Sequence, residues 1–379
     1  MNCSGWGEIY GQERPIAFLR ASLARKEVPH ALLFTGPRGV GKFSTALLFA
    51  AALFCPSGEP DGCPSCLKVA RRVHPDLHVV EAEGNVIRRE QITELERELS
   101  RKPAEAGKRV ALIDEAQLMN VEASNAFLKT LEEPPPETYL LLVVENKESL
   151  MPTVESRCHE VRFSTLGKKD IQDYLTARAG LDEADAERVA RLSGGLFGRA
   201  LLWARNPEFA RHWNRGVEIA AHMRRYSLLE ALEKVEEARR SLRDAAAASE
   251  ERERESYLQA MDRQGRERLE KRWQEREKRE NAKAQRQAAV DFLDGMSSFY
   301  RDIMLLNLMQ EGAGEPSETL LLNLEWREEL EREALHIGAR ESKRCLETLL
   351  KVKKALEANV DLGLLLDNLV LELKSAARP

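Results

Sequence analysis

NAFLKTLEEPPPET, residues 125–138, lies between the strand-like VALIDEA of Val110–Ala116 and the tripeptide Ser156-Arg157-Cys158. Together with GPRGVGK (Gly36–Lys42), it sets out in chain order a phosphate loop, an acidic metal or water position and an arginine near a module edge. The flanks point to the fold. Ala31–Thr35 is a short apolar run entering the glycine loop, and Ser44–Phe54 is an apolar helix leaving it. Leu77–Glu81 reads as a strand, and Ile87–Leu99 as a helix with Ile92, Leu95 and Leu99 on one face. Val110–Ile113 is a buried strand, Ala123–Leu131 a helix stopped by Pro134–Pro136, and Tyr139–Val144 a further buried strand. Strands alternating with helices predict an α/β module over residues 1–165, with a parallel sheet covered on both faces.

Beyond that module the chain reads as helical. Residues 166–205 suit a small lid, with Gly194, Gly195 and Gly198 breaking the pattern. Residues 206–379 predict an all-α domain. Within it, 233–286 is a charged stretch in which acids and bases nearly cancel. Its sparse apolar positions (Tyr257, Met261, Leu269, Trp273) are too thin for a core-facing stripe, so it reads as an exposed helical arm laced with ion pairs. Apolar periodicity returns in YRDIMLLNLM and ANVDLGLLLDNLVLEL.

The 379 residues are 43% hydrophobic and 32% charged, with a net charge of −5 and a pI near 6.0. That balance gives no global attraction to nucleic acid, so any DNA contact falls to a local patch or to partner subunits. No apolar run approaches the roughly 20 residues of a membrane span. The N-terminus MNCSGWGEIYGQE lacks the layout of a signal peptide, and the expected location is cytoplasmic. Of six cysteines, Cys55, Cys63 and Cys66 cluster, and in this context they read as metal ligands before disulfides.

Two signals carry nucleotide chemistry. In the phosphate loop, Gly36, Gly39 and Gly41 let backbone N–H groups turn toward phosphate oxygens, and Lys42 adds a point charge. The next position should carry the Ser or Thr that holds Mg²⁺, but it is Phe43. Ser44 comes one residue late, about 100° around the helix. Asp114-Glu115 ends its strand as a metal-binding Asp and a water-orienting Glu would.

These residues resemble the clamp-loader branch of the AAA+ ATPases. GQE (Gly11–Glu13), HALLF (His30–Phe34), the phosphate loop, HPD (His74–Asp76), VALIDEAQLMN, NAFLKTLEEPP and SRC carry the resemblance, densely from Gly11 to Phe163. It implies that Arg157 is an arginine finger reaching the ATP of a neighbouring subunit and that Arg199 is a lid sensor. The polar sensor of the family falls at Val144 or Glu145, neither suited to orienting water. The altered loop reads as a vestigial element that holds the fold together, with passive binding of ATP or ADP left open and hydrolysis not expected. The cysteines resemble the four-cysteine zinc module of the branch, with the second ligand falling at Pro60 and Glu59, Asp61 or His78 open as substitutes. The implied partners are gamma/tau and delta subunits in a pentameric ring, a sliding clamp, and primed DNA through the assembly, all within a DNA polymerase holoenzyme. The last helix would form the collar of that ring. An ATP-hydrolysing motor of the gamma/tau kind and a helicase-type branch-migration motor are the enzyme alternatives, and Phe43 counts against both.

Overall fold

The computed structural model describes residues 3–205, 207–243, 263–310, 320–357 and 360–376. They fall into two compact units, 1–204 and 205–379.

The first unit is built on a parallel sheet of five strands: β1 (Ala31–Thr35), β2 (Leu77–Val80), β3 (Arg109–Ile113), β4 (Thr138–Val143) and β5 (His159–Arg162), in the order β2-β3-β4-β1-β5. The register runs Leu77↔Val110, Arg109↔Thr138, Ala31↔Leu140 and Leu32↔His159. Successive side chains of a strand point to opposite faces, so each central strand feeds two cores. Leu32, Phe34, Val110, Leu112, Leu141 and Val143 pack on one face, against α2 (Lys42–Phe54) and with side chains of α1 (Glu13–Arg25). Ala31, Leu33, Ala111, Ile113, Leu140 and Leu142 pack on the other, against α4 (Arg89–Leu99) and α5 (Val121–Glu132); α3 (Pro64–Ala70) lies earlier in the chain. α2 is apolar all round, and every residue from Thr45 to Phe54 is buried. The Asn120 side chain caps α5 by accepting from Ala123 N–H at 2.8 Å, and α5 ends just before the proline run.

The alternation read from the sequence is therefore the observed architecture. The fifth strand and α1 add to it. β5 shows a single buried residue, Val161, among exposed ones, so it carries no apolar run to mark it.

A four-residue helix, α6 (Pro152–Glu155), precedes β5. Next come α7 (Lys168–Tyr174, continued by a π-helical turn to Ala179), α8 (Glu183–Leu192) and α9 (Phe197–Arg205), which share a small core of Leu166, Ile171, Leu175, Ala186, Ala190 and Ala200. Gly194 and Gly195 make the turn between α8 and α9 with φ of 63° and 84°. Gly198 does not break the pattern: it sits in the first turn of α9.

The second unit holds α10 (Pro207–His222), α11 (Leu228–Arg243), α12 (Arg263–Gln310), α13 (Arg327–Ala334), α14 (Ala339–Glu357) and α15 (Leu362–Ala376). Residues 233–243, read from sequence as the start of the charged arm, instead bury Val235, Ala238 and Leu242 on α11. Residues 244–262 of that stretch, with Tyr257 and Met261, lie outside the described residues. Glu333, 1% exposed, binds Arg224 and Arg225 at 2.9 and 3.4 Å and ties the turn after α10 to α13. In α15, Leu366, Leu369, Val370 and Leu373 point inward at helical spacing. Among the described helices none is long and apolar enough to cross a membrane.

α10 and α12 approach most closely at two glycines. A Cβ on Gly216 would lie 2.0 Å from the carbonyl oxygen of Phe292, and one on Gly295 would lie 2.2 Å from that of Trp213. Backbone cannot yield as a flexible side chain does, so the helices would have to separate. Gly216→Ala and Gly295→Ala should each destabilise the second unit by about 1–3 kcal/mol or more, read as a lower midpoint in denaturant unfolding followed by helical circular dichroism.

Candidate functional site: a phosphate loop, a surface arginine and a cysteine–aspartate cluster

The phosphate loop joins β1 to α2. Gly36, Gly39 and Gly41 have φ of 138°, 79° and 95°, values that favour glycine. Gly36 is fixed twice over: its N–H donates to Glu145 C=O at 3.1 Å, and a Cβ there would meet the Phe163 carbonyl oxygen at 2.4 Å. Lys42, 7% exposed, donates from Nζ to the carbonyls of Gly36 and Pro37 at 2.6 and 2.7 Å. Burial brings its pKa down to about 8, aided by Arg38 and opposed by Glu145, Asp114 and Glu115.

Asp114 and Glu115 follow β3, where the sequence placed them. Asp114 Oδ1 accepts Glu115 N–H at 3.0 Å, and Glu115 adopts a left-handed backbone with φ 50°. Arg38 of the phosphate loop reaches across to Glu115 at 3.3 Å. Val144, one of the two sensor positions, is buried in a core of the sheet; the charge of Glu145, the other, acts on Lys42 against the effect of burial. Phe43 stands at the first turn of α2, and the guanidinium of Arg72 lies 4.6 Å from its ring centre. Ser44 is half-buried one position further on.

α9 starts against this loop. Gly198 N–H donates to Gly39 C=O at 2.7 Å, and a Cβ at Gly198 would collide with that carbonyl. Arg199 is the next residue; its guanidinium lies 5.8 Å from the centre of the Trp203 ring, along its own helix. Gln12, 2% exposed, donates to Val40 C=O at 3.3 Å and Ser164 C=O at 2.8 Å, joining the start of α1 to the loop and to the segment that follows β5.

Arg157 follows α6 and is 37% exposed in its side chain. Nη2 binds Glu132, itself 52% exposed, at 2.5 Å, and Nη1 donates to Thr153 C=O at 2.9 Å. The neighbouring acids Glu155 and Glu160 are engaged by Lys147 at 3.4 and 3.8 Å. Ser156 Oγ and Cys158 Sγ donate to Thr153 C=O and Val154 C=O, so the flanking side chains pin the short helix.

Cys55, Cys63 and Cys66 come together with Asp61, all four ligand atoms within 4.8 Å of one another. Cys55 Sγ lies 3.6 Å from Cys63 Sγ, which lies 3.5 Å from Cys66 Sγ; Asp61 Oδ1 is 3.2 Å from Cys55 Sγ and 3.8 Å from Cys66 Sγ. A tetrahedral zinc with bonds of about 2.3 Å to sulfur and 2.0 Å to oxygen would set edges of roughly 3.5–3.8 Å. The four groups fit such an ion. Of the substitutes left open by sequence, Glu59 instead binds Trp6 Nε1 at 2.5 Å and Arg20 at 3.1 Å, and His78 stands on β2 opposite Ala111. Burial pushes the Cys66 thiol up to about 12, a poor nucleophile. A closed set of four protein ligands is a structural site, and it would clamp the loop between α2 and α3.

HPD is structural. The Asp76 carboxylate accepts the N–H groups of Ala104, Glu105 and Ala106 at 2.6–2.8 Å, and His74 stacks on Phe54 with centroids 4.3 Å apart.

A parallel sheet in this strand order, with a phosphate loop after β1, which lies between β4 and β5, and an acidic pair after β3, defines an AAA+ P-loop module. Residues 11–167 match the family described as DNA polymerase III, delta subunit. The DNA polymerase III subunit delta' of Bacillus subtilis is 35% identical over 205 residues, covering 52% of this chain and 61% of that protein. The delta' subunit of Pseudomonas aeruginosa is 38% identical over 179 residues, covering 45% and 54%. Gamma/tau of Mycobacterium tuberculosis is 32% identical over 205 residues, covering 51% and 35%. The chain is thus similar to delta' and gamma/tau subunits of DNA polymerase III, and it spans only 61% and 54% of the length of those two delta' relatives.

Two outcomes check this geometry. Metal analysis of the native protein should find about one zinc per chain; Asp61→Ala and Cys63→Ser should lose it with a lower melting temperature, and Asp61→Cys should bind it more tightly. The Asp76 carboxyl is pushed up by burial, but its three N–H donors and His74 hold it below the usual range. A depressed folded pKa contributes stability that is present above the unfolded value and is lost as pH falls through the folded one. Asp76→Asn should therefore lower stability at neutral pH by about 1–3 kcal/mol and flatten the loss of stability below pH 4, measured by urea unfolding across pH.

Proposed function

We propose that this chain acts as the delta-prime subunit of a DNA polymerase III clamp loader. It would not hydrolyse ATP itself, and it would supply Arg157 to the ATP site of a neighbouring subunit while the ring loads a sliding clamp on primed DNA. The observation that carries the reading is the placement of Arg157: half-exposed beside its sheet and paired with an exposed glutamate that a phosphate could outcompete. Phe43 supports the other half of it, since a phenyl ring offers Mg²⁺ no oxygen. The second unit would serve as the collar, where α15 leaves Leu364 and Leu371 exposed at 69% and 50%. ATP or ADP would be a bound ligand and zinc a structural one, in the cytoplasm and with gamma/tau and delta as partners.

A second reading, an ATP-hydrolysing gamma/tau-like motor, draws on the gamma/tau relatives, 32% identical over 205 residues, and on the intact acidic pair. Turnover separates the two. The purified chain should hydrolyse ATP far below about 1 s⁻¹; a Lys42-dependent rate at or above that scale favours the motor. Arg157→Ala should leave the chain folded and assembled with gamma/tau and delta. It should slow clamp- and DNA-stimulated turnover, by less than the roughly 10³–10⁵-fold of an isolated finger, because other sites keep their own arginines. Arg157→Lys should not restore it. Wild-type turnover of the assembled Arg157→Ala complex would refute the trans role.

A further inference from the structure

The P-loop fold implies Mg²⁺ beside the phosphates, and the residues here do not fit it. The hydroxyl position is Phe43, and its ring already has a cation 4.6 Å from its centre: the guanidinium of Arg72. At that distance a guanidinium is attracted by the ring quadrupole. Arg72 is held in place from two sides. Its backbone is left-handed, φ 58°, in the turn after α3, where its N–H donates to Val69 C=O at 2.8 Å, and its side chain is anchored to Glu81 at 3.0 Å. A non-glycine residue in that conformation is uncommon and persists where its surroundings fix it. The acidic pair is also committed differently from a metal site. Glu115 is paired with Arg38, and Asp114 accepts the backbone N–H of Glu115. The phosphate-cradling parts are kept: three glycines with positive φ and Lys42 at the mouth of the loop, where its ammonium is bound to two loop carbonyls that phosphate oxygens could replace.

We propose that this phosphate loop takes nucleoside di- or triphosphates free of divalent metal, with the Phe43–Arg72 pair filling the metal's place and fixed cations doing its electrostatic work. Lys42 then supplies charge to the phosphates, while Arg38 and Arg72 offset Glu115 and Glu81, acids that an ion would offset in an ordinary site. This deepens the non-hydrolysing reading above and gives its physical consequence: occupancy without turnover, indifferent to Mg²⁺.

The test is calorimetric titration of the full chain with ADP and with ATP, in EDTA and in excess Mg²⁺. Affinity in EDTA should equal or exceed that in Mg²⁺ for both nucleotides. Arg72→Ala should weaken binding in EDTA by about tenfold or more, the scale of one charge-assisted contact, with circular dichroism checking the fold. Phe43→Thr, which keeps Arg72, should make binding respond favourably to Mg²⁺ and guards against a misfolded Arg72 variant. Binding that requires Mg²⁺ in the wild-type chain, or no binding of either nucleotide at millimolar concentration, overturns the proposal. Either result leaves the trans role of Arg157 standing, because that role is read from turnover of the assembly; loss of the trans role would equally leave metal-free binding intact.

Discussion

The close approach of Gly36 to the end of β5 is the constraint on which the P-loop unit depends. The chain leaves β1 with its N–H bonded to Glu145 after β4, while the Phe163 carbonyl sits where any side chain would have to go. Three neighbouring strands, β4, β1 and β5, are thereby locked at one edge of the loop. From there the loop can only turn over the sheet, and α2 begins with Lys42 facing inward and Phe43 one step around. The lid helix meets the same loop from outside, through Gly198 on Gly39. The positions of Lys42, Phe43 and Arg199 follow from this backbone packing.

Within that frame charges are distributed unequally. Around the loop, the acids that a metal would neutralise face built-in cations, Arg38 on Glu115 and Lys42 near Glu145. Arg157, by contrast, is held at the surface, by a bond to the Thr153 carbonyl and by a pair with exposed Glu132 whose worth in water is small, of the order of 0–1 kcal/mol. Such a pair sets the direction of a side chain without committing it. A loop furnished with its own counter-charges and an arginine left ready for exchange fit a subunit whose chemistry is done next door.

The central sheet was legible because its strands are buried on both faces and read as continuous apolar runs. β5 was not, because an edge strand with one buried residue gives no such run. α11 was mistaken for exposed arm because three small or apolar residues among many charges suffice to bury one face when neighbouring helices are close. At the site, the three cysteines announced themselves by spacing. The fourth ligand was only narrowed by sequence: register pointed to Pro60, which left Glu59, Asp61 and His78 as substitutes, and spacing alone does not choose Asp61 among them. Arg72 was invisible for a different reason: it reaches Phe43 from a turn 29 positions later, and no local pattern encodes that meeting.

The central claim is that this chain contributes to hydrolysis in trans and not through its own loop. The most direct measurement is steady-state ATP turnover of the reconstituted loader, with clamp and primed DNA, carrying Lys42→Ala in this chain alone. Removing the lysine abolishes the loop's main phosphate contact but leaves Arg157 untouched. The account predicts turnover equal to wild type. A fall by a share comparable to losing one working motor site would contradict it.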